Sequence, residues 1–186
     1  MSHRNLLIIF TRNPVLGKVK TRLAKTVGDK IALDIYHFLL QKTKEVTKKI
    51  SCDKKIYYSE KIIEDDLWDQ SIYQKKEQYG NDLGERMKNA FNDGFKKNYE
   101  KIIVIGTDLF DLEPSHINEA FKKLNHNNVV IGPALDGGYY LIGLKKLHPK
   151  IFQNKNWGTS SVRKETLKNL EKVDVHLLPM LNDVDV

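Results

Sequence analysis

Apolar positions along this chain follow two alternating rhythms. Short apolar runs are separated by longer stretches in which apolar residues return every three or four positions. The runs predict buried strands, and the longer stretches predict amphipathic helices. Leu6–Phe10 is the first strand by this reading. From Asp29 to Ile50, the residues Ile31, Ile35, Phe38, Leu39, Val46 and Ile50 mark a helix, with Asp29 as its N-cap. Lys55–Tyr58 predicts a second strand, Glu64–Asp69 a helical turn and Ile72–Glu77 a weak strand. Leu83, Met87, Ala90, Phe91 and Phe95 outline the next helix.

Ile102-Ile-Val-Ile105 places four β-branched residues in a row, as a strand buried on both faces requires. Pro114 opens a helix at a first-turn position that tolerates it, and Ile117, Ala120, Phe121 and Leu124 form its stripe. Val129–Ile131 and Tyr139–Leu144 predict strands, Ser160–Leu170 a helix and Val173–Leu178 a final strand. Strand and helix alternate, which predicts an α/β fold built on a doubly wound, mostly parallel sheet. A length of 186 residues suits one domain spanning 1–186.

Composition narrows the function classes. Charged residues make up 30% and hydrophobic ones 40%, a balance that suits a globular protein. The formal charge of +7 raises nucleic acid as a partner. Much of the excess, however, lies in dispersed pairs such as Lys48-Lys49, Lys54-Lys55, Lys75-Lys76, Lys96-Lys97 and Lys122-Lys123. These are expected to form a solvated surface, which argues against nucleic acid. The single cysteine, Cys52, has no internal disulfide partner, and no Cys/His zinc spacing occurs. No apolar stretch is long enough for a signal peptide or membrane span, so the expected location is the cytoplasm, with no membrane partner.

In open α/β sheets, ligands sit beyond the carboxyl ends of the strands. The first strand runs into Thr11-Arg-Asn-Pro-Val-Leu-Gly-Lys-Val-Lys-Thr-Arg22, a loop with Gly17 and the cations Arg12, Lys18, Lys20 and Arg22. Gly17 permits positive φ, and cations spaced by two along a loop can converge on one anion. A phosphate-rich ligand fits this loop, and so does an ordinary basic surface. Asp108 follows Ile102–Ile105, either as a metal contact or as a turn or capping aspartate. Asp111, nearer the next helix, is expected to cap it. Asp136 stands in Asp-Gly-Gly, either as a hairpin turn or as a functional carboxylate. Asp183 and Asp185 near the chain end are further candidates.

In Gln78-Tyr-Gly-Asn-Asp-Leu-Gly84, Gln78 has the paired donor and acceptor needed to read a base edge. Asp82 and Gly84 belong to the same candidate nucleotide loop. Asp82 with Glu85 also satisfies the pattern of a capping box. Trp157 either stacks on a ligand or packs inward. Cations and carboxylates on one rim suit a diphosphate bridged by Mg²⁺ or Mn²⁺. No nucleophile elbow, Walker A spacing or Gly-x-Gly-x-x-Gly occurs.

With these segments together, the chain resembles the GT-A-type transferases known as the radical-SAM/selenodomain-associated transferase 1 family. That family is related to nucleotide-diphospho-sugar transferases and small nucleotidyltransferases. The resemblance is carried by Pro14–Ala24, Asp82–Met87, Gly106–Asp108, Gly132–Gly143, Trp157–Thr159 and Asp183–Asp185, nearly the whole length. It implies a Rossmann-like three-layer α/β/α sandwich that binds nucleotide. Arg12, Gly17 and Lys18 would hold phosphates, and Lys20 and Arg22 would stabilise the leaving group. Asp108 would bind the metal with Asp183, and Asp136 would position or deprotonate the acceptor. Where the family usually carries Cys-Pro, this chain has Leu109-Phe110. The implied activity is metal-dependent transfer from a nucleotide-activated donor, an NDP-sugar or an NTP, to an acceptor the sequence does not name. A non-catalytic nucleotide- or RNA-binding protein on the same scaffold is the rival expectation.

Overall fold

The computed structural model describes residues 4–182 and 184, and every structural statement below concerns those residues. Along the chain run β1 (Asn5–Thr11), α1 (Thr21–Val27), α2 (Asp29–Lys48), β2 (Asp53–Tyr58), β3 (Tyr73–Glu77) and α3 (Leu83–Lys96). There follow β4 (Lys101–Ile105), α4 (Pro114–Lys123), β5 (Val129–Pro133), β6 (Tyr139–Leu144), a 3-10 turn (Pro149–Phe152), α5 (Val162–Asn169) and β7 (Val175–Leu177).

The strands form one seven-stranded sheet in the order β3-β2-β1-β4-β6-β5-β7. β6 runs antiparallel to β4 and β5, while the other pairings are parallel. The sheet is therefore mostly parallel, as the alternation predicts. The two-residue period of a strand sends its side chains to two separate cores. Leu7, Ile9, Ile103 and Ile105 face one way and pack with Tyr36, Leu40 and Val46 of α2 and Ile117 and Phe121 of α4. Leu6, Ile8, Ile102 and Val104 face the other way, against Met87, Ala90 and Phe91 of α3, with Leu167 of α5 beside them. Helices on both faces of a sheet make the three-layer sandwich. Truncating a central residue such as Phe91 would cost about 3–5 kcal/mol.

Four expectations need correction. Asp29 is the first residue of α2 rather than its cap, a place taken by Gly28. Glu64–Asp69 is not helical, because the Asp66 carboxylate accepts the Trp68 N–H at 3.0 Å and the Lys75 ammonium at 2.8 Å. Local side-chain bonds of this kind compete with a helical turn. Asp111 does not cap α4. Glu113 does, in a reciprocal box with His116.

The lysine pairs are also not all solvated. Lys54 and Lys55 are buried on β2, and the Lys75 side chain is enclosed by the Ile63 and Glu64 carbonyls and Asp66. Strand positions within the sheet leave a lysine stem nowhere to go but inward.

Candidate functional site

Parallel pairing brings the carboxyl ends of β1, β2, β4 and β5 to one edge of the sheet, together with the start of the antiparallel β6. A cavity of about 970 Å³ opens along that edge. Arg12, Lys18, Lys20, Arg22, Gln78, Asp82, Asp108, Asp136 and Trp157 all line it. The basic loop and the strand-end carboxylates thus share one space.

The loop is fastened from below. The Arg12 N–H donates to the Tyr36 hydroxyl at 2.9 Å, and that hydroxyl donates back to the Arg12 carbonyl at 3.1 Å. Thr11 and Thr107 hydroxyls stand 3.2 Å from the same phenol oxygen. One α2 tyrosine therefore ties the end of β1 to the end of β4. Burial pushes the Tyr36 phenol up, so it stays protonated and able to donate. Further along, Gly17 turns the chain at φ 75°, in the left-handed region, without itself lining the cavity. Arg12 and Lys18 are exposed, with Lys18 3.5 Å from Glu60. Arg22 donates to the Gly158 carbonyl at 3.4 Å, joining the loop to Gly158 in the opposite wall.

Lys20 differs from its neighbours. It precedes α1 with φ 49°, a left-handed conformation that costs a non-glycine residue about 1–3 kcal/mol. Its side chain is 4% exposed, and its Nζ lies 2.6 Å from Asp108 Oδ1. The same Nζ donates to the Val184 carbonyl at 2.6 Å, and the Val184 N–H donates to the Asp108 carbonyl at 3.0 Å. Asp108 remains half exposed at the mouth of the cavity. Next to it, Leu109 is buried in the α2–α4 core, whereas Phe110 points outward and stacks on Phe38 at 5.9 Å. The Leu109-Phe110 departure thus fills core and outer surface, leaving the Asp108 carboxylate at the cavity.

The other candidates divide between lining and support. The Gln78 amide donates to the Tyr57 carbonyl at 2.9 Å and the Thr11 carbonyl at 3.4 Å, so its nitrogen serves the strand ends. Asp82 is the N-cap of α3, accepting the Glu85 N–H at 2.8 Å from the cavity edge. Gly84 does not line the cavity. A Cβ there would lie 2.3 Å from the Phe152 carbonyl and 2.5 Å from the Trp157 ring, so this glycine lets Trp157 close onto α3. Trp157 is half-buried and lines the cavity while packing inward, which joins both expectations for it. Asp136 caps the β5–β6 turn through Oδ1, which accepts the Gly138 N–H at 2.7 Å. Asp183 and Asp185 lie outside the described residues.

Residues not singled out in the sequence complete the walls. Buried Asn13 donates to the Lys61 carbonyl at 2.8 Å and accepts the Glu60 N–H at 3.0 Å. Arg86 donates to the Gly80 carbonyl at 3.1 Å and the Ser59 carbonyl at 3.4 Å. An asparagine in a basic loop and an arginine one turn into a helix carry no periodic signal. Their position after strand ends was the available clue.

Among the described residues no three of His, Cys, Asp and Glu converge on a point. Mg²⁺ and Mn²⁺ are commonly held by one or two carboxylates plus substrate phosphate and water. Asp108, open to a cavity lined with cations, fits such a set. Cys52 lies before β2, at the opposite edge of the sheet, and burial pushes its thiol up to about 11. It is no nucleophile for this cavity.

The sequence model described as an uncharacterized protein conserved in bacteria, DUF2064, matches residues 41–159. The chain is 32% identical to a candidate nucleotide-diphospho-sugar transferase from Desulfovibrio desulfuricans G20, covering 100% of this chain and 84% of that one, with TM-score 0.90. It also shares the fold of 4-diphosphocytidyl-2C-methyl-D-erythritol synthase from Anaerococcus prevotii DSM 20548, at TM-score 0.60 and 9% identity, covering 99% and 92%. Rv0371c of Mycobacterium tuberculosis H37Rv, in complex with manganese, has TM-score 0.59 at 12% identity, covering 98% and 94%. No curated protein matches the chain.

Proposed function

This chain belongs to the DUF2064 family of bacterial proteins, and we propose that it is a metal-dependent transferase acting on a nucleotide-activated donor. The observation that carries the reading is the meeting of the basic loop with Asp108 in one cavity, Lys20 Nζ standing 2.6 Å from the carboxylate. The 32% identical relative from D. desulfuricans supports the same class, and the fold shared with a diphosphocytidyl synthase supports nucleotide use.

In the proposed reaction the donor's diphosphate lies across Arg12, Lys18 and Arg22, with the nucleoside toward Gln78 and Asp82. The acceptor enters beside Asp136 and Trp157. Cations beside the leaving phosphate stabilise the charge that builds there as the bond breaks. Asp108 would hold a Mg²⁺ or Mn²⁺ ion, which supplies Lewis-acid neutralisation of the phosphate oxygens. Tyr36 keeps Arg12 and Thr107 in fixed relation beneath them. Asp136, one oxygen held by the turn, orients the acceptor hydroxyl or takes its proton with the other.

A thermal-shift screen of nucleotides and nucleotide sugars, with and without Mg²⁺, tests this directly, because a ligand specific to the folded state raises apparent stability. A nucleotide that stabilises the protein only with metal is the expected result. Equal response to every polyanion, abolished by salt and indifferent to metal, would instead favour a non-catalytic nucleic-acid binder. Release of pyrophosphate from an NTP then identifies nucleotidyl transfer, and release of an NDP identifies glycosyl transfer.

A further inference from the structure

We propose that the Lys20 ammonium occupies the divalent ion's place at Asp108 until phosphate arrives, so that metal and diphosphate enter together. The inference rests on the diphosphate reading given above. It starts from what surrounds Lys20 Nζ. Asp108 Oδ1 and the Val184 carbonyl both stand 2.6 Å away, two oxygen ligands of the kind a hard cation takes. The Val184 N–H donates to the Asp108 carbonyl at 3.0 Å, so the Asp108 carboxylate and the Val184 carbonyl are presented to Lys20 together.

The backbone points the same way. Lys20 holds φ 49° and is nearly enclosed, a strained arrangement for a residue that would otherwise extend into water. Strain of this sort persists where surrounding contacts enforce it, and such places cluster at functional sites. Here the contacts include the ion pair, the bond to the Val184 carbonyl and the Ala24 N–H donated to the Lys20 carbonyl at 2.8 Å.

The charge balance supplies the consequence. A divalent ion approaching Asp108 meets a carboxylate already neutralised by Lys20. Arg12, Lys18 and Arg22 line the same cavity and repel it further. Free metal therefore gains little. A diphosphate reverses both conditions. Its charge neutralises the loop, and its oxygens offer Lys20 a competing partner within reach of the same flexible stem. As the ammonium turns from carboxylate to phosphate, Asp108 is released to the metal that the phosphate carries. Binding free energies are reciprocal, so pyrophosphate must tighten metal by the factor that metal tightens pyrophosphate.

Mn²⁺ and inorganic pyrophosphate serve as probes, with water-proton relaxation separating protein-bound ion from the free chelate. For the native protein, saturating pyrophosphate is expected to tighten Mn²⁺ by about tenfold or more. Lys20→Met is expected to tighten Mn²⁺ alone by about tenfold, with most of the pyrophosphate enhancement lost. Lys20→Gln, polar and nearer the native shape, provides a second variant should Lys20→Met fail to fold. The native measurement stands without either variant. Equal Mn²⁺ affinity of the native protein with and without pyrophosphate would overturn the proposal. So would unchanged affinity for Mn²⁺ alone in the folded variants, even if native protein binds the Mn²⁺–pyrophosphate pair. Failure of native protein to bind pyrophosphate with or without Mn²⁺ would instead overturn the diphosphate reading itself, and this inference with it.

Discussion

Several lysines among the described residues are withdrawn from water, and two of them have opposite surroundings. Lys20, at 8% exposure, lies against a carboxylate and a carbonyl at the edge of a large cavity. Lys55, at 1%, lies inside the sheet layer with no hydrogen-bond partner, its Nζ 5.1 Å from the centre of the Tyr99 ring. Burial, followed by the nearby charges of Lys97 and Lys76, pushes the Lys55 ammonium down to about 8. A buried cation is costly wherever it sits. At Lys20 the cost is offset by partners at the rim of the cavity. At Lys55 it is offset only in part, by the ring contact and the nearby Asp93 and Asp53 charges, and the residue remains a liability to the fold. In the proposed function the first lysine belongs to chemistry, and the second bears on stability alone.

The comparison can be broken most forcefully at the carboxylate. Asp108→Asn is expected to reduce metal-dependent turnover by about a hundred- to a thousand-fold, as loss of one charge-stabilising group commonly does. Isothermal titration with Mg²⁺-nucleotide is expected to show a matching loss of metal-dependent binding. Binding as tight as in the native protein would remove Asp108 from the metal site.

The two lysines should then separate cleanly. Lys55→Met is expected to raise thermal stability by about 1–3 kcal/mol, since a buried charge is replaced by an apolar side chain of similar volume. Nucleotide affinity should be unchanged. A fall in melting temperature would show that the ammonium–ring contact outweighs desolvation.

The same residue predicts a pH dependence. Its folded value near 8 lies below the ordinary lysine value of 10.5, so the unfolded chain binds more protons between them. Stability contributed by Lys55 therefore rises as pH increases from about 8 to about 10.5, and its penalty is complete below pH 8. Chemical denaturation across that window should show the rise in native protein and a flatter profile in Lys55→Met. Equal slopes would contradict the assignment.

The smallest effect lies at the exposed pair. Glu60→Gln removes the partner 3.5 Å from Lys18 and should change stability by less than about 0.5 kcal/mol. A larger shift would mean that the loop depends on that pair rather than on Tyr36 and Asn13.

Much of this is legible in the sequence. The Ile102–Ile105 run marked a central strand, now Lys101–Ile105, because β-branched residues in sequence leave few alternatives. The basic loop and Asp108 followed from strand ends, without any knowledge of their separation. Helix α1 escaped notice because Leu23 is its one buried residue, too little for a period. The antiparallel direction of β6 was hidden too, since a buried strand reads alike in either sense. Lys55 was invisible for a different reason. A lysine pair in sequence gives no sign that the strand carrying it is covered on both faces. Within the site, the Asp82 cap on α3 is legible from Asp82 and Glu85, whereas the bonds of Gln78 to the Tyr57 and Thr11 carbonyls depend on three-dimensional neighbours.

Crystals soaked with Mn²⁺ and a bound nucleoside diphosphate would test the central claim most directly, through the anomalous signal of the metal. The account predicts a manganese peak in contact with the Asp108 carboxylate, and diphosphate density running toward Arg12, Lys18 and Arg22. A nucleotide bound elsewhere on the molecule, or a metal that leaves Asp108 paired as before, would contradict it.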